Sequence, residues 1–273
     1  MDGYQEELRF ARELAEAGAR VALGHYQRDP EVKKKSDGTW VTEADWKAEA
    51  QIRLRIARSF GEHNVLGEEE GLTAAGGGPA IDGAPTWVID PIDGTNNFMS
   101  GIPCWATLVG LRIGDETVVG VCHAPVLGET YEAARGGGAK MNGEAIHVAP
   151  NTTLGDATLL FASVQSYQEA GLKDLFDALV TRTWRSRGFG DFWGHMLVAR
   201  GAAQVMIEPD LAVWDVAALQ VIVEEAGGKT THLKGERWVD RGSCLTTNGR
   251  LHEQVVALVE EFAPTWSENQ FSG

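Results

Sequence analysis

Cysteine is scarce: the 273 residues include three, Cys104, Cys122 and Cys244, odd in number and set in apolar or strand-like surroundings. Their spacing offers neither a disulfide framework nor a thiolate metal site, and reduced core thiols are expected. No run approaches the roughly 18 uninterrupted apolar residues of a membrane span. The opening stretch, Met1 to Glu7, is acidic where a secretory leader would be basic. Neither a membrane anchor nor a leader is therefore expected, and the expected compartment is the cytoplasm. Internal repeats and low-complexity linkers are missing too. Basic residues are in deficit, with 24 Lys and Arg against 39 Asp and Glu and a net charge of −15. Such a field repels polyphosphate backbones and argues against a nucleic-acid partner. A small anionic substrate fits only where local cations offset the field.

What the chain does have is enough apolar side chain for a core, 43% of residues. Leu8, Ala11, Leu14, Ala15, Val21 and Ala22 recur near the helical period and predict a helix over about 4–26. A polar stretch, Lys33 to Gly38, follows. A second helix is expected from Thr42, with Thr42 and Asp45 as a capping box and Ala48, Ile52, Ile56 and Phe60 on one stripe. After the glycine-rich loop 76–79 the pattern turns to strands. One is a short run at 86–89 ending at Asp90-Pro91, and an antiparallel meander follows over 104–113, 117–123 and 129–134. From about 150 strand-like segments (157–161, 203–207) alternate with helix-like ones (170–180, 191–200, 214–226), and an amphipathic helix closes the pattern at 251–262. A layered α/β structure is expected, one domain over 1–273 with sub-halves 1–150 and 151–273.

The sharpest local feature is Trp87-Val88-Ile89-Asp90-Pro91-Ile92-Asp93-Gly94-Thr95. A buried strand delivers Asp90 at its carboxyl end, where α/β proteins commonly build sites. Pro91 turns the chain, Asp93 returns toward Asp90, and Gly94 and Thr95 offer free amides to a phosphate. An ordinary acidic turn uses the same residue types, but their order after a buried strand points to a site. Three further acids fit beside it: Glu68 in Gly67-Glu68-Glu69-Glu70-Gly71, Asp45 on the core stripe of the second helix, and Asp215 at a helix start. Taken singly they read as an exposed turn, a helix-dipole partner and a cap. Together they supply hard oxygen donors without a histidine or thiolate cluster, a set that suits Mg²⁺, Mn²⁺ or Ca²⁺ over zinc.

These residues resemble the inositol-monophosphatase-like, Mg²⁺-dependent, lithium-sensitive phosphatases. The resemblance rests on Gly67-Glu68-Glu69, on Trp87 through Phe98, and on Trp214-Asp215-Val216-Ala217-Ala218 with Glu225-Ala226-Gly227-Gly228, and it covers most of the chain. It implies a layered α-β-α-β-α sandwich, a homodimer, and two to three Mg²⁺ ions for which Mn²⁺ substitutes. Glu68, Asp90 and the Ile92 carbonyl would hold one ion, and Asp90, Asp93 and Asp215 a second. Glu68 would reach a third, weaker ion through water. Asp45 and Thr95 would orient and deprotonate the attacking water, while the Gly94 and Thr95 amides grip the phosphate. The lysine run 33–35 stands near the family's position for a basic residue by the phosphate, and reads here as a solvated charge run.

The segment Arg187-Gly188-Phe189-Gly190-Asp191-Phe192-Trp193-Gly194-His195 is similar to the histidinol-phosphate phosphatase branch of that family. By this resemblance Arg187 and Asp191 join the substrate site. Asp191 would pair with the substrate ammonium, and Phe189, Phe192 or Trp193 would cover its imidazole; core packing is the other reading of the aromatics, favoured for Trp193. Glu208 matches a position that contacts substrate hydroxyls in inositol-type members, which keeps inositol-1-monophosphatase activity as the alternative. Asn96 departs from the family's usual residue after Thr95, and His195 reads as packed or solvated. The expected activity is hydrolysis of L-histidinol phosphate, a small-molecule phosphate monoester, by metal-activated water in histidine biosynthesis. A metal- and phosphate-binding module without catalysis is the competing class, and the presence of both Asp45 and Thr95 argues against it.

Overall fold

The computed structural model describes residues 3–28, 32–34, 40–238 and 240–267. Lys35 of the lysine run lies outside them. The first half lays down α1 (Gln5–Leu23), the strand pair β1 (Val32–Lys34) and β2 (Trp40–Thr42), α2 (Glu43–Ser59), and the hairpin β3 (Asn64–Gly67) and β4 (Gly71–Ala74). It continues with β5 (Thr86–Asp93), the short α3 (Thr95–Met99), β6 (Ala106–Ile113), β7 (Glu116–Ala124), β8 (Glu129–Ala134), β9 (Ala139–Met141) and β10 (Glu144–Ala145). Then come β11 (Thr158–Phe161), α4 (Val164–Glu169), α5 (Lys173–Arg182), β12 (Arg185–Arg187), α6 (Asp191–Ala199) and β13 (Val205–Ala212). The chain ends in α7 (Val213–Glu225), β14 (Lys229–Thr231), β15 (Arg241–Thr247) and α8 (His252–Phe262).

Two sheets organise the molecule, one of eight strands in the order β10-β9-β8-β7-β6-β5-β3-β4 and one of five in the order β12-β11-β13-β15-β14. α1 and α2 cover the outer face of the larger sheet, α6 and α7 fill the space between the sheets, and α4, α5 and α8 cover the far face of the smaller one. The expected helix-sheet-helix-sheet-helix layering is therefore present. α7 explains itself as the middle layer: Val216 to Val223 are all buried and all but Gln220 apolar, and a helix so nearly apolar all round belongs between two surfaces. Its approach is close, since a side chain at Gly120 of β7 would meet the Ala218 carbonyl oxygen at 2.3 Å. On the outer face, a Cβ at Gly18 of α1 would meet Ile52 of α2 at 2.7 Å, so small residues set that helix contact as well. Among the described residues no helix is long and apolar enough to cross a membrane.

The strand expected to stop at Asp90-Pro91 instead runs on to Asp93. Asp90 faces Leu108 of β6 and Asp93 faces Ala106, so three steps on β5 oppose two on β6. This bulge accommodates the missing N–H of Pro91, whose carbonyl accepts a hydrogen bond from the Thr107 hydroxyl at 2.8 Å. In a regular strand residues three apart point to opposite faces; the extra residue returns Asp93 to the side of Asp90. β13 repeats the device at Pro209, with Glu208 opposite Cys244 and Leu211 opposite Gly242. The helix expected at 170–180 is α5, which starts at Lys173 after Gly171 takes φ 70°, and the short α4 precedes it where no helix was expected. Strands β3 and β4 precede the glycine-rich loop, where none was expected, and β14 and β15 complete the smaller sheet.

Candidate active site

The carboxyl ends of β5 and β13, the start of α7 and the β3–β4 turn open onto one cavity of about 1340 Å³. Asp90, Asp93 and Asp215 each offer a carboxylate oxygen within 4.8 Å of the others. One backbone amide fixes each of these groups: Ile92 N–H donates to Asp90 at 2.9 Å, Phe192 N–H to Asp93 at 2.7 Å, and Ala212 N–H to Asp215 at 2.7 Å. The second of these bonds ties the larger sheet to α6. Asp215 is thus a helix cap and a member of the cluster at once.

Nine carboxylate side chains line the cavity, and neither lysine nor arginine does so among the described residues. The electrostatic consequence is severe. Burial first, then Glu68 and Asp93, push Asp90 well above the usual carboxylate range. Burial, then Asp191 and Asp215, do the same to Asp93. Burial pushes Asp215 up to about 8, against the pull of the Ala212 amide. Carboxylates so placed stay ionised only beside cations, and a phosphate would be repelled from the metal-free cavity. Oxygen donors converging in a preformed cluster fit a hard divalent ion.

Glu68, Ile92, Gly94 and Thr95 all line the cavity. Gly94 takes φ 85°, and a Cβ there would meet the Cys104 carbonyl oxygen at 2.9 Å, so glycine is required. The Thr95 hydroxyl donates to the Ile92 carbonyl at 3.0 Å. Asp45 sits just behind the wall, buried. Its Oδ2 accepts from the Thr42 amide at 2.8 Å and the Thr42 hydroxyl at 2.6 Å, the expected capping box. Burial outweighs those bonds and, with Glu68 nearby, pushes Asp45 up to about 6.

Beside the cluster, next to Gly94, stands Asp191, and Glu208 follows it along the wall. Asp191 accepts from Asn97 Nδ2 at 3.0 Å, and burial followed by Glu208 pushes it up to about 7. Glu208 lies 3.0 Å from His195 Nε2, whose Nδ1 lies 2.8 Å from the Thr246 hydroxyl. His195 is therefore packed, as expected, yet it also lines the cavity. Asn97 is a site residue that sequence reasoning passed over; its polarity in the short α3 is the only signal it carried.

Arg187 is not brought to the cavity: it is exposed on β12 and donates to the Ser186 carbonyl at 2.7 Å. Of the aromatics offered as cover for the imidazole, Phe189, Phe192 or Trp193, none lines the cavity, which for Trp193 agrees with the core packing favoured for it. Phe192 is core, the Trp193 indole reaches Glu129 at 3.2 Å, and Phe189 packs on Trp193 with ring centres 5.0 Å apart. Trp40 and Trp214 are the aromatic residues on the wall. Lys33 and Lys34 are exposed on β1, the Lys34 ammonium 5.6 Å from the Trp40 ring.

The model of the inositol monophosphatase family matches residues 4–263. A histidinol-phosphatase of Streptomyces coelicolor is 38% identical over 96% of this chain and 99% of its own. Another, from Mycobacterium tuberculosis, is 39% identical over 92% of this chain and 96% of its own. Among solved structures, the Thermotoga maritima IMPase superposes with a TM-score of 0.84 at 30% identity, covering 95% of this chain and 99% of that one.

Proposed function

The chain belongs to the inositol monophosphatase family, and from that premise we propose that it is a Mg²⁺-dependent phosphatase hydrolysing L-histidinol phosphate to L-histidinol and phosphate. The observation that carries the substrate assignment is the acid pair Asp191 and Glu208, set in the same cavity as the Asp90–Asp93–Asp215 cluster. An ester carrying both a phosphate and an ammonium matches a cavity that offers carboxylates beyond those of the metal cluster. The histidinol-phosphatase names of its relatives point the same way.

In this reading Glu68, Asp90, Asp93, Asp215 and the Ile92 carbonyl hold two to three Mg²⁺ ions, with Mn²⁺ as a substitute. When bound, the metal supplies neutralisation of the phosphate and acidification of water. The backbone at Gly94 and Thr95 orients the phosphate. Thr95 holds the water on the side of the Ile92 carbonyl, and Asp45 takes its proton, its affinity near pH 6 suiting a base at neutral pH. Asp191 and Glu208 receive the ammonium. The family resemblance also supports a homodimer, and the acidic opening stretch a place in the cytoplasm, points that sedimentation velocity and cell fractionation read.

A panel of histidinol phosphate, inositol 1-phosphate and fructose 1,6-bisphosphate at equal concentration tests the assignment. Highest kcat/KM on histidinol phosphate is expected. Preference for inositol 1-phosphate would replace it with the second reading, which Glu208 favours by its match to a hydroxyl-contacting position in inositol-type members.

A further inference from the structure

Glu49 has no part in the chemistry described so far, yet its carboxylate is completely buried one helical turn after Asp45 on α2. A buried carboxylate must be paid for by donors, and these donors are unusual. Oε2 accepts from the Glu69 amide at 2.9 Å and Oε1 from the Glu70 amide at 3.0 Å, both in the β3–β4 turn. The charge partner is Arg53, whose Nε donates to Oε1 at 2.8 Å. The rest of that guanidinium grips the hairpin itself, donating to the Gly71 carbonyl at 2.6 Å and the Thr73 hydroxyl at 3.0 Å. Gly67 is glycine for the same reason, since a Cβ there would stand 2.3 Å from Glu49 Oε1.

We propose that Glu49 is a positioning residue for the metal site: by taking the Glu69 and Glu70 amides it fixes the β3–β4 turn so that Glu68 faces the cavity. The inference rests on the reading of Glu68 as a metal ligand. β4 is an edge strand and the hairpin has four residues a side, so strand pairing alone holds this turn weakly. Three consecutive acids in the turn repel one another, and the Arg53 guanidinium that pairs with Glu49, 3.7 Å from the Glu70 carboxylate, opposes that repulsion locally. α2 therefore carries Asp45 and Glu49 on one face and sets the proton acceptor and the Glu68 turn in register.

Isothermal titration of Mg²⁺ into the metal-free protein tests this with a double-mutant cycle. E49Q offers one of the two turn amides a donor instead of an acceptor, and Mg²⁺ affinity is expected to fall about 10- to 100-fold, the usual effect of removing an outer partner of a metal ligand. In an E68A background E49Q should add less than about threefold, because the effect passes through Glu68. G67A, which displaces the Glu49 carboxylate from the other side, should give the same pattern and serves if E49Q does not fold. Unchanged affinity in E49Q and G67A, or an equal loss with Glu68 already removed, overturns the positioning role. Unchanged affinity in E68A alone instead refutes the reading of Glu68 as a ligand.

Discussion

Asp191→Asn separates recognition of the substrate from the phosphate chemistry. The backbone there has φ 54°, a conformation that asparagine adopts at least as readily as aspartate, so the fold should accept the change. The Asn97 bond at 3.0 Å survives, because the new carboxamide oxygen accepts it. What is lost is the charge. A charge-assisted hydrogen bond is worth about 1.5–3 kcal/mol, so kcat/KM for histidinol phosphate should fall roughly 10- to 150-fold. Glycerol 2-phosphate presents no cation to Asp191, and its kcat/KM should change less than about threefold. The ratio of the two constants, measured on one preparation, cancels any damage to the metal cluster. A parallel fall for both substrates would refute the ammonium contact and leave Asp191 as the residue that opens α6.

Asp90→Asn should abolish detectable Mg²⁺ binding by calorimetry while raising the melting temperature of the metal-free protein, because Asp90 is repelled by Glu68 and Asp93 in that state. Asp45→Asn should retain Mg²⁺ affinity and lower kcat by roughly 10²–10⁴; near-normal kcat with a lowered melting temperature would leave Asp45 as a cap alone. The folded-state values of Asp45, Asp191 and Asp215 lie above their ordinary value of 3.8, at about 6, 7 and 8. Their stabilising effect is therefore complete below about pH 4 and lost as pH rises through 6 to 8. The metal-free melting temperature, followed by calorimetry, should fall from pH 5 to 8, and added Mg²⁺ should raise it more at pH 8 than at pH 6.

Much of the cluster was legible because a buried strand, a proline and two aspartates in that order leave few alternatives. The meander after it was legible for a different reason, since its apolar runs are long and turn residues such as Gly114-Asp115 and Pro125 separate them. The hairpin carrying Glu68 was not, because runs of four residues around glycines carry no period. Glu49 and Arg53 look like any solvated i, i+4 pair until the turn amides fold over them. β15, Arg-Gly-Ser-Cys-Leu-Thr-Thr, has little strand character of its own and is one because β13 and β14 flank it. Phe192 misled for a related reason: helical spacing did not reveal that it turns into the layer beneath, as was expected of Trp193, leaving Trp40 and Trp214 on the wall.

The place of α7 between the sheets has a consequence for synthesis of the chain. The eight-stranded sheet is complete at Ala145, whereas the helix that covers its inner face begins only at Val213. Roughly 70 residues must be added in between, about 3–14 seconds of translation at roughly 5–20 residues per second. Throughout that interval β5, β6 and β7 present an apolar face to whatever surrounds the ribosome. Chaperone demand during expression should therefore peak before α7 emerges and vanish after it, and a nascent chain stalled near residue 150 should be far more aggregation-prone than one stalled after 230.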